Sequence, residues 1–496
     1  MTTIKDRLTA TIKGEWPGIG LFVLALGLRS WGLADQPLWL DEVFSMQLAR
    51  EGALAILCNS LSDPHPPLFY LLQWLGSGFG SAQTEWGWRW ISVLSGTLTI
   101  PAFYSLCRRF SGRLAAGLAG LVLAISPFHV YYSQEGRAYA FSTLLVVCSS
   151  ILVADLMADS RRRGRWIELA AISLVGLYTS YFYLFILGTQ GLALFIFARR
   201  RDWWLYALIL AVGTGLAALM IVPTLSATAQ QHLETQTLTV RLALQSLAGE
   251  PVRYGVNWQQ HWMETWIFGE VMFGAITSGR SITKTRQGAG FALLLMLPNI
   301  ILAALKAWAG IRLPYYETRQ ALIFVPALLA LVAAGWDFLA RRWSWKWAVG
   351  LCIPILAASG AGLLDYRQGT KSPEGTLAQQ VKAALQAGEV VVSLDYWTTA
   401  GAYAYLLKPA VWVYSGEENG VYQFDDELRL YPLALKHPQL ASTIDMETLR
   451  SQPGMWVLSR NGVNGEVLAA LTQGCRQAKS VVSGQFEATR WEGCQP

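Results

Sequence analysis

Charged residues are scarce in this sequence: Asp, Glu, Lys and Arg make up 15% of 496 residues. A soluble enzyme of this size would carry roughly a quarter. The deficit excludes a cytosolic globular protein, a disordered chain and a fibrous one. Cysteine is also sparse, with six scattered copies and no C-x-x-C, which argues against a disulfide scaffold or a zinc site. No Walker motif, Gly-rich dinucleotide loop, H-E-x-x-H or G-x-S-x-G stands at a credible position, so neither ATP-driven nor zinc-dependent chemistry has support. No Asn-x-Ser/Thr sequon occurs, which weakly favours a bacterial source.

What is abundant is apolar: 53% of residues are hydrophobic and mean hydropathy is +0.33. Trp, which favours membrane–water interfaces, occurs 22 times. The sequence predicts a polytopic α-helical membrane protein. Its formal charge of +6 comes from short basic clusters between apolar runs, a pattern that orients helices in a bilayer and points to no nucleic-acid partner.

Lys5, Arg7 and Lys13 precede an apolar run from Pro17 to Leu33 with no small-residue cleavage site after it. We read it as the first transmembrane helix, with its N-terminus cytoplasmic. Further runs begin near Arg89, Leu114, Ala138, Trp166, Leu184, Trp203, Gly288, Gln320 and Trp347. The clusters Arg108, Arg109 and Arg113, then Arg161, Arg162, Arg163 and Arg165, then Arg199, Arg200 and Arg201 mark cytoplasmic loops. Only 33 residues, 166–198, separate two basic flanks, so two short helices turning at Tyr178–Tyr183 are expected there. Arg280, Lys284 and Arg286 require one more crossing, a weak segment at 262–278 that contains Glu264 and Glu270. About eleven crossings result, with amphipathic helices in the first outer loop.

Composition then divides the chain into a membrane domain, 1–365, and a C-terminal α/β domain, 366–496, placed outside the cytoplasm by parity. Val390–Leu394, Val411–Tyr414 and Met455–Leu458 read as buried strands, alternating with helical patterns at Thr376–Ala387 and Glu466–Gln473. Cys475 and Cys494 are either a disulfide or two free thiols.

Four stretches carry candidate chemistry, all on the outer face in this topology. Leu38–Arg50 holds the adjacent acids Asp41 and Glu42, at the start of an amphipathic segment. Acids at a helix start are explained by the dipole alone; the functional alternative is a general base facing a lipid-borne substrate. Asp63-Pro-His-Pro-Pro-Leu-Phe-Tyr70 offers His65 and Tyr70 as phosphate or acceptor contacts, or a loop cap. Ser126–Tyr139 holds Glu135, Arg137 and Tyr139; Arg137 could clamp a phosphate or simply pair with Glu135 or a lipid headgroup. Leu313–Gln320 adds Glu317 and Arg319. Four independent structural explanations do not account for convergence on one face. An active site at the outer leaflet does.

These residues resemble a known family. The Asp-Glu pair, the His-Pro-Pro-Leu-x-Tyr segment, Arg89 opening the next helix, Ser-Pro-x-His-x-x-Tyr-Ser-Gln-Glu-x-Arg-x-Tyr and the Tyr178–Phe182 turn are similar to bacterial members of the protein O-mannosyltransferase and lipid A aminoarabinose transferase superfamily, which has the C-type glycosyltransferase fold. The likeness covers about residues 15–340. It implies transfer of a sugar from a polyprenyl phosphate, with inversion, to a lipid, glycan or protein acceptor at the outer face of a bacterial inner membrane. It also implies Asp41 as base with Glu42 as partner. It leaves a divalent ion on the acid pair open but requires no cofactor. The sequence departs from the family in two places. His65 stands where aminoarabinose transferases tend to have Lys, and Tyr178-Thr-Ser-Tyr181 replaces Tyr-Thr-His-Tyr. The rival readings are a transporter or flippase of polyprenyl-linked glycans, which tends to place ionisable groups on broken midplane helices in paired repeats, and a non-catalytic scaffold with a sensing outer domain.

Overall fold

In the computed structural model, residues 4–59, 65–198, 204, 206–208, 210–215, 257–278, 283–308, 318–406, 411–418, 421–425, 443–444, 446–461 and 463–494 are described. Asp63, the basic cluster at 199–201, Arg280 and Glu317 lie outside them. The chain groups into two compact units. One contains residues 1–31, 60–76 and 89–369; the other contains 32–59, 77–88 and 370–496. Two segments from the first third of the chain, 32–59 and 77–88, thus group with the C-terminal residues.

The first unit is helical. Its elements include α1 (Ile4–Ser30), α4 (Leu68–Gly76), most of α5 (Glu85–Phe110), α6 (Arg113–Ile125), α7 (Pro127–Ser133), α8 (Tyr139–Ala158), α9 (Arg163–Leu177) and α10 (Tyr183–Phe197). Helices Asn257–Ser278, Thr283–Trp308, Val325–Arg342 and Trp345–Gln368 complete it. Among the described residues four helices are long and apolar enough to cross a membrane, beginning at Glu85, Tyr139, Ala321 and Trp345; the bent pair α6–α7 makes a fifth. The count of eleven rests in addition on shorter helices such as Pro17–Ser30 and Tyr183–Phe197, and on runs largely outside the described residues.

Local chemistry explains the irregularities. Ser126 precedes Pro127, a position that disfavours helical geometry, and its Oγ accepts from the His129 N–H at 3.3 Å. The chain bends by 57° there. The two short helices expected between the basic flanks form as α9 and α10, each 15 residues. A helix, Asn257–Ser278, covers the segment expected at 262–278, and in it Glu270 accepts from Trp266 Nε1 at 2.6 Å one turn away; it is not one of the four helices that are long and apolar enough to cross a membrane among the described residues. This helix packs on Val325–Arg342 through Gly274 and Gly335; a side chain at Gly274 would strike the Leu331 carbonyl.

Basic clusters converge at one end of the unit. Asp155 pairs with Arg109 at 2.7 Å and Arg165 at 3.6 Å, while Asp337 accepts from the Gly112 N–H and from Arg341, both at 2.8 Å. The α9–α10 turn points the other way. Its Tyr178 carbonyl accepts from the Leu68 N–H that starts α4, at 3.1 Å.

The second unit contains α2 (Leu40–Glu51), α3 (Ala53–Asn59) and a seven-stranded sheet in the order β4-β3-β2-β1-β5-β7-β6. The strands are β1 (Val390–Ser393), β2 (Val411–Glu418), β3 (Val421–Asp425), β4 (Thr443–Ile444), β5 (Met455–Arg460), β6 (Arg476–Ser483) and β7 (Phe486–Glu492). β1 is parallel to β2 and β5, and the remaining pairs are antiparallel. Strand alternation sends Val391 into one apolar layer with Leu377, Val381 and Trp456, and Val392 into another with Leu449, Val457 and Leu471. β1 and β5 match the expected buried strands, and β2 forms where the third was expected but with only Val411 of Val411–Tyr414 buried. Helices Pro373–Ala384 and Gly465–Thr472 stand where helical patterns were read. Cys475 and Cys494 are joined as a disulfide.

Candidate functional site

Within the first unit, the loop between α7 and α8 carries the cation group. Its backbone is held from two helices: Gln73 of α4 donates to the Gly136 carbonyl at 3.1 Å, and Ser92 of α5 donates to the Arg137 carbonyl at 3.1 Å. Arg137, 4% exposed, is thereby aimed at the start of α4. Its guanidinium donates to the Tyr70 hydroxyl at 3.2 Å, lies 3.3 Å from His65 Nε2, and sits 5.7 Å from the Tyr70 ring centroid. The structure thus brings Arg137, His65 and Tyr70 together. Glu135, fully buried, precedes Arg137 in the same loop, and Arg89 of α5 is also buried. Arg319 lies 5.9 Å from the Tyr139 ring, which in turn meets Tyr132 edge-on at 5.2 Å. A planar, permanently charged group held by a phenol and an imidazole can receive a phosphate in a bidentate fashion.

Behind this loop lies a polar network that motif reading did not single out. Arg29, fully buried in α1, contacts His129 Nδ1 at 2.8 Å and donates to Ser133 Oγ at 3.3 Å and the Ala124 carbonyl at 3.1 Å. Gln134 donates to the Arg29 and Trp31 carbonyls and accepts from the Tyr366 hydroxyl at 2.7 Å. A charge inside an apolar stretch near the end of the first run was the available signal.

Asp41 and Glu42 belong to the second unit. Glu42, 1% exposed, turns back so that its Oε2 accepts from the Trp39 N–H at 3.3 Å, capping the start of α2. Asp41 is only half-buried. Of the pair, Glu42 thus has a structural task, and Asp41 is the more exposed.

The residues before α2 are gripped by the C-terminal part of the unit. Lys371 N–H donates to Gln36 Oε1 at 2.9 Å, and Ser372 Oγ donates to the Leu38 carbonyl at 2.9 Å. The Leu38 N–H donates to the Tyr405 hydroxyl at 2.6 Å, and that hydroxyl donates to Glu85 at 3.0 Å. Glu374, 3% exposed, accepts from the Leu40 N–H at the first residue of α2. Burial pushes the Glu374 carboxyl up from its usual range, against the backbone hydrogen bonds, that from Leu40 among them, that favour its charged form. Gly375 admits this approach. A Cβ there would stand 2.7 Å from Pro37 Cβ and 3.0 Å from the Leu38 carbonyl oxygen. Among the described residues no three His, Cys, Asp or Glu side chains gather as a metal site.

Residues 64–226, which include the cation group, match the family model described as dolichyl-phosphate-mannose-protein mannosyltransferase. The whole chain resembles the crystal structure of ArnT from Cupriavidus metallidurans in the apo state, at a TM-score of 0.61 and 14% identity over 95% of this chain and 97% of that one. The chain has the fold of the C-type glycosyltransferases. ArnT bound to undecaprenyl phosphate is similar at a TM-score of 0.59, again with 14% identity over 95% and 97% of the two chains. The archaeal oligosaccharyltransferase AglB from Archaeoglobus fulgidus, in complex with an inhibitory peptide and a dolichol-phosphate, is similar at 0.51, with 11% identity over 79% of this chain and 64% of AglB. No protein of curated function matches the sequence. The fold thus agrees with the resemblance read from the motifs, although overall identity to these structures is low.

Proposed function

We propose that this protein transfers a sugar from a polyprenyl-phosphate donor to a lipid, glycan or protein of the cell envelope, at the outer face of a bacterial inner membrane and with inversion. The observation that carries the reading is Arg137, buried and held against Tyr70 and His65 inside the segment that matches the mannosyltransferase family. The neighbours with undecaprenyl phosphate or dolichol-phosphate bound support a polyprenyl carrier.

In this mechanism an acceptor hydroxyl attacks the anomeric carbon as the bond from that carbon to the phosphate oxygen breaks. The electron pair leaves with the polyprenyl phosphate, and the acceptor proton passes to Asp41. Because the phosphate already spreads its charge, cations matter more than a protonating acid. Arg137 supplies that stabilisation as the cation, with His65 or Arg319 as a second contact to the phosphate. Asp41 acts late as base, a contribution of about 10²–10⁴-fold. The reaction requires no cofactor or divalent ion. We further propose eleven crossings, with a cytoplasmic N-terminus and an extracytoplasmic C-terminal unit. The basic clusters gathered at one end of the first unit, opposite the α9–α10 turn, support that orientation.

Mass spectrometry of envelope glycolipids, glycans and glycoproteins from cells with and without the gene identifies the transferred group. Complementation with Asp41→Asn should restore none of it while the protein inserts normally. Full transfer by that variant removes Asp41 as the base.

A further inference from the structure

The second unit contains a cavity of about 310 Å³ that the reading above does not use. Three parts of the chain line it: Leu38 just before α2 with Met46 and Arg50 in that helix; Gln83, Thr84, Glu85 and Trp88; and Lys382 with residues 403–406. Its size falls at the lower end of small-ligand sites. The Arg50 guanidinium lies 5.9 Å from the Trp88 ring and 5.8 Å from the Tyr403 ring, so two aromatic groups hold the fork before any ligand arrives. Gly80, at φ +83°, lets the segment before Trp88 close on this end of α2; a Cβ there would stand 2.6 Å from the Ala49 carbonyl oxygen.

Charge sets the kind of ligand. Arg50 and Lys382 both line the cavity, and among the described residues neither forms an ion pair. The one carboxylate in the lining, Glu85, accepts from the Tyr405 hydroxyl at 3.0 Å. Two cations beside amide, hydroxyl and carboxylate groups, with Leu38, Met46, Trp88 and Leu406 as an apolar and aromatic wall, suit a ligand with one negative charge, several hydroxyls and the apolar face of a sugar ring. Such a ligand is a sugar bearing a carboxylate or a phosphate. A neutral ligand would gain nothing from either cation, both of which are exposed to water.

We propose that this cavity holds an anionic sugar residue of the acceptor. The inference rests on the transferase reading and specifies its acceptor. Arg50 stands nine residues beyond Asp41 on α2, about 14 Å along a helix axis. An acceptor anchored at Arg50 and reacting at Asp41 therefore contains more than one sugar residue, with the charged one remote from the attacking hydroxyl.

The test uses the full-length protein in lipid nanodiscs and four probes: glucuronic acid, glucose 6-phosphate, glucose and inorganic phosphate. The charged sugars should bind at least tenfold more tightly than either glucose or inorganic phosphate. The double variant Arg50→Gln, Lys382→Gln should lose at least tenfold in affinity for them and keep undecaprenyl phosphate binding. Lys382→Glu, at an exposed position, should weaken both charged sugars even if the double variant fails to fold. Equal binding of glucose overturns the proposal, as does inorganic phosphate binding as tightly as glucose 6-phosphate, which marks a free-anion site only. Unchanged affinity in Lys382→Glu overturns it too. Asp41→Asn should retain sugar binding, so failure of the base assignment and failure of this site are separable.

Discussion

Gly375→Ala is the most informative single perturbation of the second unit. Gly375 lies in the first turn of Pro373–Ala384, where its N–H donates to Ser372 Oγ at 3.1 Å. An added Cβ would stand 2.7 Å from Pro37 Cβ and 2.7 Å from Ser372 Oγ. Carbon atoms rest comfortably at about 3.5–4.0 Å, so Pro37 or the helix must give way by roughly 1 Å. Neither partner is the free end of a flexible side chain. Overpacking of this kind costs about 1–3 kcal/mol. The displaced chain leads through Leu38 directly to Leu40 and Asp41, and a misplacement of about 1 Å can cost around a hundredfold in rate. We therefore expect a transfer rate lower by about that factor, a modest loss of stability, and unchanged binding of the polyprenyl carrier. Transfer kinetics with reconstituted protein, alongside thermal unfolding, provide the measurement. Gly360→Ala is the matched control, since a Cβ there meets nothing within 4 Å. A Gly375→Ala protein with wild-type rate and stability would refute the claim that this contact sets the start of α2.

Two further outcomes follow from the same geometry. Because burial raises the Glu374 carboxyl above its ordinary value of 4.5, the folded unit binds the proton more tightly than the unfolded chain. Its contribution to stability is full below 4.5 and falls as pH rises through the raised value; Glu374→Gln should remove that decline in unfolding measured across the acidic range. Arg137→Ala removes donors to the Tyr70 hydroxyl and to an incoming phosphate; charge-assisted bonds are worth about 1.5–3 kcal/mol, so carrier affinity should fall roughly tenfold to a hundredfold. Equal carrier affinity in wild type and variant, read by equilibrium binding, would take Arg137 out of the donor site.

Much of the fold was legible where burial writes a strong pattern. The 33 residues between basic flanks specified two short helices, and the parallel strands β1 and β5, covered on both faces, read as unbroken apolar runs. The β6–β7 hairpin was missed because β6 is mostly exposed, so its sequence carries no apolar contrast. The cation group was legible because its members sit in short motifs whose residue types fit phosphate chemistry. The grip on α2 was not. Ser372 reaches Leu38 across 334 positions and Tyr405 reaches it across 367, and no local pattern announces a hydrogen bond to a backbone group that far away. Arg29 was passed over for a related reason: its partners sit 95 to 104 residues on, and only the folded bundle reveals that they satisfy it.

The composition of the second unit from 32–59, 77–88 and 370–496 also bears on biosynthesis. The helix that carries Asp41 leaves the ribosome early, but the residues that grip its start are made only after the helix ending at Gln368. A nascent chain therefore has its acid pair long before it has a defined position for it. Contacts of such long sequence separation form late and depend on completion of everything between them. A chain truncated before Thr370 would retain the acids, His65 and Arg137 yet lack the residues that hold the start of α2. On the proposed mechanism catalytic competence therefore comes last in synthesis, and partial products of translation are expected to be inert rather than weak or indiscriminate.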